Sequence, residues 1–207
     1  MLKADFHMHT RASPCSNMRP EDIVKYSIKA GLDVIAITDH NTTEAVGLVK
    51  AAAAGRLTVI PGIELLTPQG EILILNPQRE YKGDLIEVCE QAHMDNAIII
   101  AQHPFDSMRK CIGNNINRIM HMITAVEVFN GRTIFQKYNK MAAHFAKEFN
   151  LPGLSNSDAH TVYEIGNAYN IFECGPEEVF EALRKGQFNI FSKRSPLWVH
   201  GLGRIKI

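Results

Sequence analysis

Asp33-Val34-Ile35-Ala36-Ile37-Thr38 runs straight into Asp39-His40-Asn41. A short, unbroken apolar run of this kind is the pattern of a strand covered on both faces, because strict alternation would be expected if one face met water. On its N-terminal side, Pro20-Glu21-Asp22 opens a helix, with proline suited to the first turn and the acids suited to its positive end. Ile23, Tyr26, Ser27 and Ala30 give that helix one face and Gly31 stops it. On the other side a helix is predicted from about 43 to 54, ended by Gly55. The stretch is therefore a strand between two helices.

The same grammar extends outward. Strands are predicted at 2–7, 57–60 (leading through Pro61-Gly62 into 63–65), 71–75, 97–101, 123–129, 151–154, 168–173 and 187–192. Helices are predicted at 84–95, at 133–149 and from Pro176 onward, while 106–121 reads as irregular or short helix. In the 133–149 helix, Ile134, Tyr138, Met141, Phe145 and Phe149 are predicted to form the core-facing side. Strand and helix alternate almost throughout, which predicts an α/β fold with a mainly parallel sheet. Residues that carry chemistry fall repeatedly just past a strand: His7 and His9, Asp39 and His40, Glu64, His103, Glu127 and Asn130, Asp158 and His160. Parallel strands in a barrel open their C-terminal ends onto one face, where sites are built. An open sheet gathers its site at one switch point. Six contributing strand ends favour a closed or nearly closed barrel.

Composition narrows the class. A chain of 207 residues with 45% hydrophobic and 21% charged residues reads as one soluble globular domain spanning 1–207. Lys+Arg and Asp+Glu are both 22, so a strongly basic nucleic-acid binder or membrane-surface binder is disfavoured. No apolar run reaches membrane-span length, and no membrane partner is expected. The four cysteines, Cys15, Cys89, Cys111 and Cys174, show no paired spacing, which points to free thiols and a cytoplasmic setting. Nothing in the pattern sets an oligomeric state.

His7 and His9 sit on one face if residues 5–9 are extended, and two imidazoles so placed can close on a single ion. Glu64 beside Ile63, Leu65 and Leu66 is hard to bury without a partner, and His103 after four apolar residues follows the same logic. Taken together, Asp-Phe-His-Met-His-Thr at 5–10, Ile-Thr-Asp-His-Asn at 37–41, Gly-Ile-Glu at 62–64, His-Pro at 103–104, Glu-Val-Phe-Asn at 127–130 and Ser-Asp-Ala-His at 157–160 resemble the PHP (polymerase and histidinol phosphatase) family of metal-dependent phosphoesterases. The resemblance implies a distorted (βα)7 TIM-like barrel with two or three divalent ions, zinc, manganese or iron, at the strand C-terminal ends. It implies His7, His9, Glu64 and Asp158 around one ion, with Glu64 bridging to a second held with His103, and a third near His40, His160 and position 15. Cys15 departs from the pattern, since many relatives carry Asp or His there; it reads either as a thiolate ligand or as a small loop residue. Glu127 reads either as a ligand or as a structural partner.

The implied activity is hydrolysis of a small phosphate monoester, such as a nucleoside bisphosphate or histidinol phosphate, by a metal-bridging hydroxide. Divalent ions suit this work because they neutralise ester oxygens and bring water to a pKa near ~7 from ~15.7. His40 or His160, if protonated, would assist the leaving oxygen. Arg11, Arg109, Lys110, Arg132 and Arg194 are candidate phosphate clamps, with Arg132 foremost because it directly follows the Glu127–Asn130 strand end. Two rival readings are a nuclease acting on DNA or RNA ends, disfavoured by the neutral charge, and a non-catalytic metal-binding regulatory module.

Overall fold

A computed structural model describes residues 1–202, so the last residues of the 1–207 span expected as one domain lie outside the described residues. The strands are β1 (Leu2–Asp5), β2 (Val34–Ile37), β3 (Thr58–Thr67), β4 (Gly70–Leu75), β5 (Ile98–Ala101), β6 (Ala125–Asn130), β7 (Gly153–Asn156), β8 (Ala168–Phe172) and β9 (Asn189–Ser192). The helices are α1 (Pro20–Lys29), α2 (Val46–Ala53), α3 (Leu85–Met94), α4 (Ile116–Ile119), α5 (Lys137–Glu148), α6 (Val179–Arg184) and α7 (Val199–Leu202).

The nine strands of the described residues join in one sheet, ordered β7-β6-β5-β4-β3-β2-β1-β8-β9. Its two ends come back together. Asn170 of β8 accepts from the Ser155 amide at 3.0 Å and donates to the Ser155 carbonyl at 3.0 Å and to the Ala4 carbonyl at 3.2 Å. One buried amide side chain therefore stitches the seam where a backbone ladder is missing. The result is a nearly closed barrel.

Two expectations are corrected. The sheet is mixed rather than mainly parallel: β1–β2, β2–β3, β5–β6 and β6–β7 pair parallel, while β1–β8, β3–β4, β4–β5 and β8–β9 pair antiparallel. The cause is local. Only Pro68 and Gln69 separate β3 from β4, too short for a crossover, and Gly70 takes the positive φ of 130° that the tight turn needs. The second correction concerns α5. Its buried residues are Asn139, Ala142, Phe145 and Ala146, whereas Ile134, Met141 and Phe149 are exposed. Of the predicted face Phe145 is buried, and the small Ala142 and Ala146 beside it, rather than the other large residues, let this helix lie close to the sheet.

Three cores result. Leu2, Ala4, Val34, Ala36, Ile60, Leu73, Leu75, Ile98, Ile100, Ala125, Leu154 and Phe172 fill the barrel lumen, joined by Val179 and Leu183 of α6. Ile35, Ile37 and Val59 pack outward under α1 and α2. Ile72, Ile74, Ile99 and Val126 pack outward under α3, α4 and α5. The unbroken run 34–37 is thus explained: Val34 and Ala36 face the lumen, and Ile35 and Ile37 face the helices.

Candidate metal centre

The lumen is apolar at its base and polar at its mouth. Alternation carries each inward row one step further. Above Ile60 and Gly62 stands Glu64, above Leu73 Glu71, above Ile100 Gln102, above Ala125 Glu127, and above Leu154 Asn156. Gly62 is required in this row. A Cβ there would lie 2.7 Å from the Thr38 methyl and 3.1 Å from the Ile37 carbonyl, so a side chain would wedge β3 away from β2 and move Glu64.

At this level His7, His9, Glu64 and Asp158 converge, all buried. His7 Nε2 lies 3.6 Å from Glu64 Oε2 and 3.5 Å from Asp158 Oδ1, and His9 Nε2 lies 3.3 Å from each of the same two oxygens. Two ligand atoms held ~2.1 Å from one ion and spread tetrahedrally stand roughly 3.4 Å apart. The observed separations match that span. Among the described residues, His7 Nε2, His9 Nε2 and Asp158 Oδ1 are also buried without a hydrogen-bond partner. Buried polar atoms are normally satisfied, so three orphans turned toward one another fit an ion that supplies the missing partner. Asp158 holds a φ of 53° and His103 one of 29°, conformations uncommon for non-glycine residues, which costs of order 1–3 kcal/mol each.

The imidazoles are held from behind. His7 Nδ1 faces Glu127 Oε1 at 3.1 Å, His9 Nδ1 faces Ser13 Oγ at 3.3 Å, and His160 Nδ1 faces the Asp158 carbonyl at 2.8 Å. Ser13 Oγ donates in turn to Asp39 Oδ1 at 2.5 Å, so it receives from His9. With a proton fixed on each Nδ1, each Nε2 lone pair is free for a metal. Electrostatics reflect the crowding. Burial opposes charge on His7, yet Asp158, Glu127 and Glu64 outweigh it and hold its pKa well above the usual value. Burial pushes Glu64 up, but His7, His103 and His9 keep it well below the ordinary carboxylate range; Arg109 and His7 do the same for Asp158. A bound cation would take the place of the proton on His7.

The structure also settles where the remaining expected residues stand. His103 Nε2 lies 3.2 Å from Glu64 Oε1, and His103 also forms a close group with His7 and Asp158 of the cage. His40 Nδ1 lies 3.1 Å from Glu64 Oε2, and His9, His40 and His160 form a further close group. Glu127 stands behind the ligand atoms rather than among them. Its Oε1 accepts from His7 and from Asn156 Nδ2 (3.1 Å), and its Oε2 from the His103 amide and from Asn130 Nδ2 (both 2.8 Å), so neither oxygen is free. Cys15 joins none of the close ligand groups among the described residues; its thiol is pushed up to about 12 by burial and by Asp158 and Glu64. Arg132 is buried and gives both its Nη1 contacts to Glu164, at 2.8 and 2.9 Å. Glu164 also accepts from the backbone amides of His160 and Thr161, so this pair braces the loop that carries His160. The arginine that reaches the cage is Arg109, whose guanidinium bonds Asp158 Oδ2.

Two residues at the mouth escaped the sequence reading. Glu71 lies 3.7 Å from His40 and groups with His40 and Glu64. Gln102 donates to Glu64 Oε1 at 3.3 Å. Glu71 was hidden because β4 runs antiparallel to its neighbours, so its N-terminal end faces the mouth. A search of C-terminal strand ends passes over it.

The PHP domain family matches residues 5–151, and the PHP-associated family matches residues 136–188. The chain belongs to the PHP family. Among its relatives are the uncharacterized proteins MJ0417 and MJ1587 of Methanocaldococcus jannaschii. MJ0417 is 33% identical over 81% of this chain and 69% of its own length. MJ1587 is 33% identical over 62% of this chain and 82% of its own. The PHP fold of the chain is similar to that of three solved structures. One is a candidate metal-dependent phosphoesterase from Bifidobacterium adolescentis (TM-score 0.64, 14% identity, covering 79% of this chain and 88% of that one). A second is an amidohydrolase from Chromobacterium violaceum with bound sulfate (0.68, 15%, 87% and 96%). The third is PsfC from Pseudomonas syringae (0.67, 16%, 98% and 97%). Among the described residues of this PHP protein, no helix is long and apolar enough to cross a membrane.

Proposed function

We propose that this PHP protein is a metal-dependent phosphoesterase that hydrolyses a small phosphate monoester, of the size of a nucleoside bisphosphate or histidinol phosphate. The observation that carries the reading is the buried cage of His7, His9, Glu64 and Asp158, with three of its ligand atoms orphaned. Divalent ions bound there would neutralise ester oxygens and lower the pKa of water to ~7. The chain's own residues do the rest. Glu127, Ser13 and the Asp158 carbonyl fix the imidazole tautomers. Burial lowers the pKa of His40, and burial with the neighbouring His9 lowers that of His160 further. Both therefore enter as neutral imidazoles, the form that ligates, and serve as acids only after taking up a proton. Arg109 is tied to Asp158 through one nitrogen and its side chain is 22% exposed, which leaves a permanent cation at the mouth for an anionic ester oxygen. Arg132 acts through Glu164 to position His160.

A small substrate is favoured over nucleic acid because Lys+Arg and Asp+Glu are both 22, which leaves no excess positive charge for a polyphosphate backbone. The test is to measure the metal content of the purified chain and then assay a panel of phosphate monoesters with manganese or zinc, alongside an end-labelled oligonucleotide. Phosphate release from a small ester is expected. No bound metal and no hydrolysis of any ester would overturn the proposal, and faster turnover of the oligonucleotide would transfer it to a nuclease.

A further inference from the structure

Glu64 turns its two oxygens in different directions. Oε2 faces His7 and His9. Around Oε1 stand two side chains from the end of β5, His103 Nε2 at 3.2 Å and the Gln102 amide at 3.3 Å. These spacings repeat those within the cage, where His9 stands 3.3 Å from Glu64 and Asp158. Among the described residues no imidazole from outside the cage completes this side: His121 is exposed, and His144 sits on α5 with its side chain 81% exposed, beside Glu148. Gln102 is fully buried and faces the lumen directly above Ile100. Its bond to Glu64, at 3.3 Å, lies just beyond the usual range of about 2.7–3.2 Å for an N–H···O bond. Its Oε1 has no hydrogen-bond partner among the described residues. The two ends of an amide have the same shape. Turning the amide over would cost one long hydrogen bond and bring the orphaned oxygen to the Glu64 side.

We propose that Gln102 is an amide-oxygen ligand at the second ion position, the one that the family resemblance assigns to Glu64 and His103. The inference rests on the metal-centre reading above and adds the residue that completes it.

The test uses the full chain stripped with a chelator and titrated with Mn2+ alone, followed by calorimetry and by the electron paramagnetic resonance signature of spin-coupled neighbouring ions. Wild type should show at least two binding steps and a coupled spectrum. Gln102→Met keeps the length and removes the oxygen. It should retain the first step, weaken the second by roughly ten- to a hundredfold, and lose the coupling. Gln102→Glu presents oxygen at both ends and should bind the second ion at least as tightly as wild type, which covers the case in which the methionine variant fails to fold. Unchanged affinity and coupling in Gln102→Met would overturn the assignment, as would a Gln102→Glu variant as weak as the methionine one. A single binding step in wild type would overturn the second position alone. No Mn2+ binding at all would instead overturn the metal centre.

Discussion

Replacing Glu127 by Gln isolates the part of the site that holds ligands in place without touching an ion. Glu127 accepts four hydrogen bonds at 2.8–3.1 Å, two at each oxygen, and is fully buried. Glutamine keeps the volume but can accept at only one end. If its oxygen keeps the shorter bonds from His103 N and Asn130 Nδ2, its amide nitrogen faces His7 Nδ1 and must donate to it. His7 then carries its proton on Nε2, the atom that faces Glu64 and Asp158, and that lone pair is lost to a metal. Loss of such an orienting carboxylate costs 10–100-fold in metal affinity. The stability cost is smaller, about 1–3 kcal/mol for the Asn156 donor left unpaired. Metal affinity by competition with a chromophoric chelator, urea unfolding of the chelated protein, and imidazole nitrogen NMR would read the three effects separately. Wild-type metal affinity in a folded Glu127→Gln variant would refute the reasoning.

Gly62→Ala should force β3 and β2 apart at Thr38 and displace Glu64, so metal affinity should fall at least tenfold although no ligand is changed; retained affinity would show that the strands can yield. Acid sensitivity should trace to Glu64 and Asp158. Their folded pKa values lie well below their ordinary 4.5 and 3.8, so their contribution is full above those ordinary values and is lost progressively as pH falls from them through the lower folded values. Chelated wild type should therefore destabilise below about pH 5, and Asp158→Asn should show a shallower slope by denaturant titration at stepped pH. Cys15→Ser should leave metal content and affinity unchanged, since the thiol is held protonated outside the close ligand groups; a lost equivalent of metal in elemental analysis would restore Cys15 as a ligand.

Sequence alone determined much of this protein. The apolar runs at 34–37 and 98–101 specified strands covered on both sides, and helices between them specified an α/β barrel. Polar residues at the ends of several predicted strands marked His7, His9, Glu64 and Asp158 as candidates, the family resemblance grouped them around one ion, and the fold brings each of the two imidazoles within 3.3–3.6 Å of both carboxylates. This was legible because strand polarity is a one-dimensional property: a residue just past a parallel strand's C-terminal end is at the mouth wherever that strand lies. Tertiary structure decided what depends on direction and contact. The reversal of β4 moved Glu71 to the mouth from the start of its strand. Packing against Asn130 and Asn156 turned Glu127 from a possible ligand into the partner of His7. Arg132 is paired with Glu164, and Arg109 is the cation bonded to Asp158. Each of these turns on which neighbour a side chain meets across the barrel, and linear spacing does not encode that.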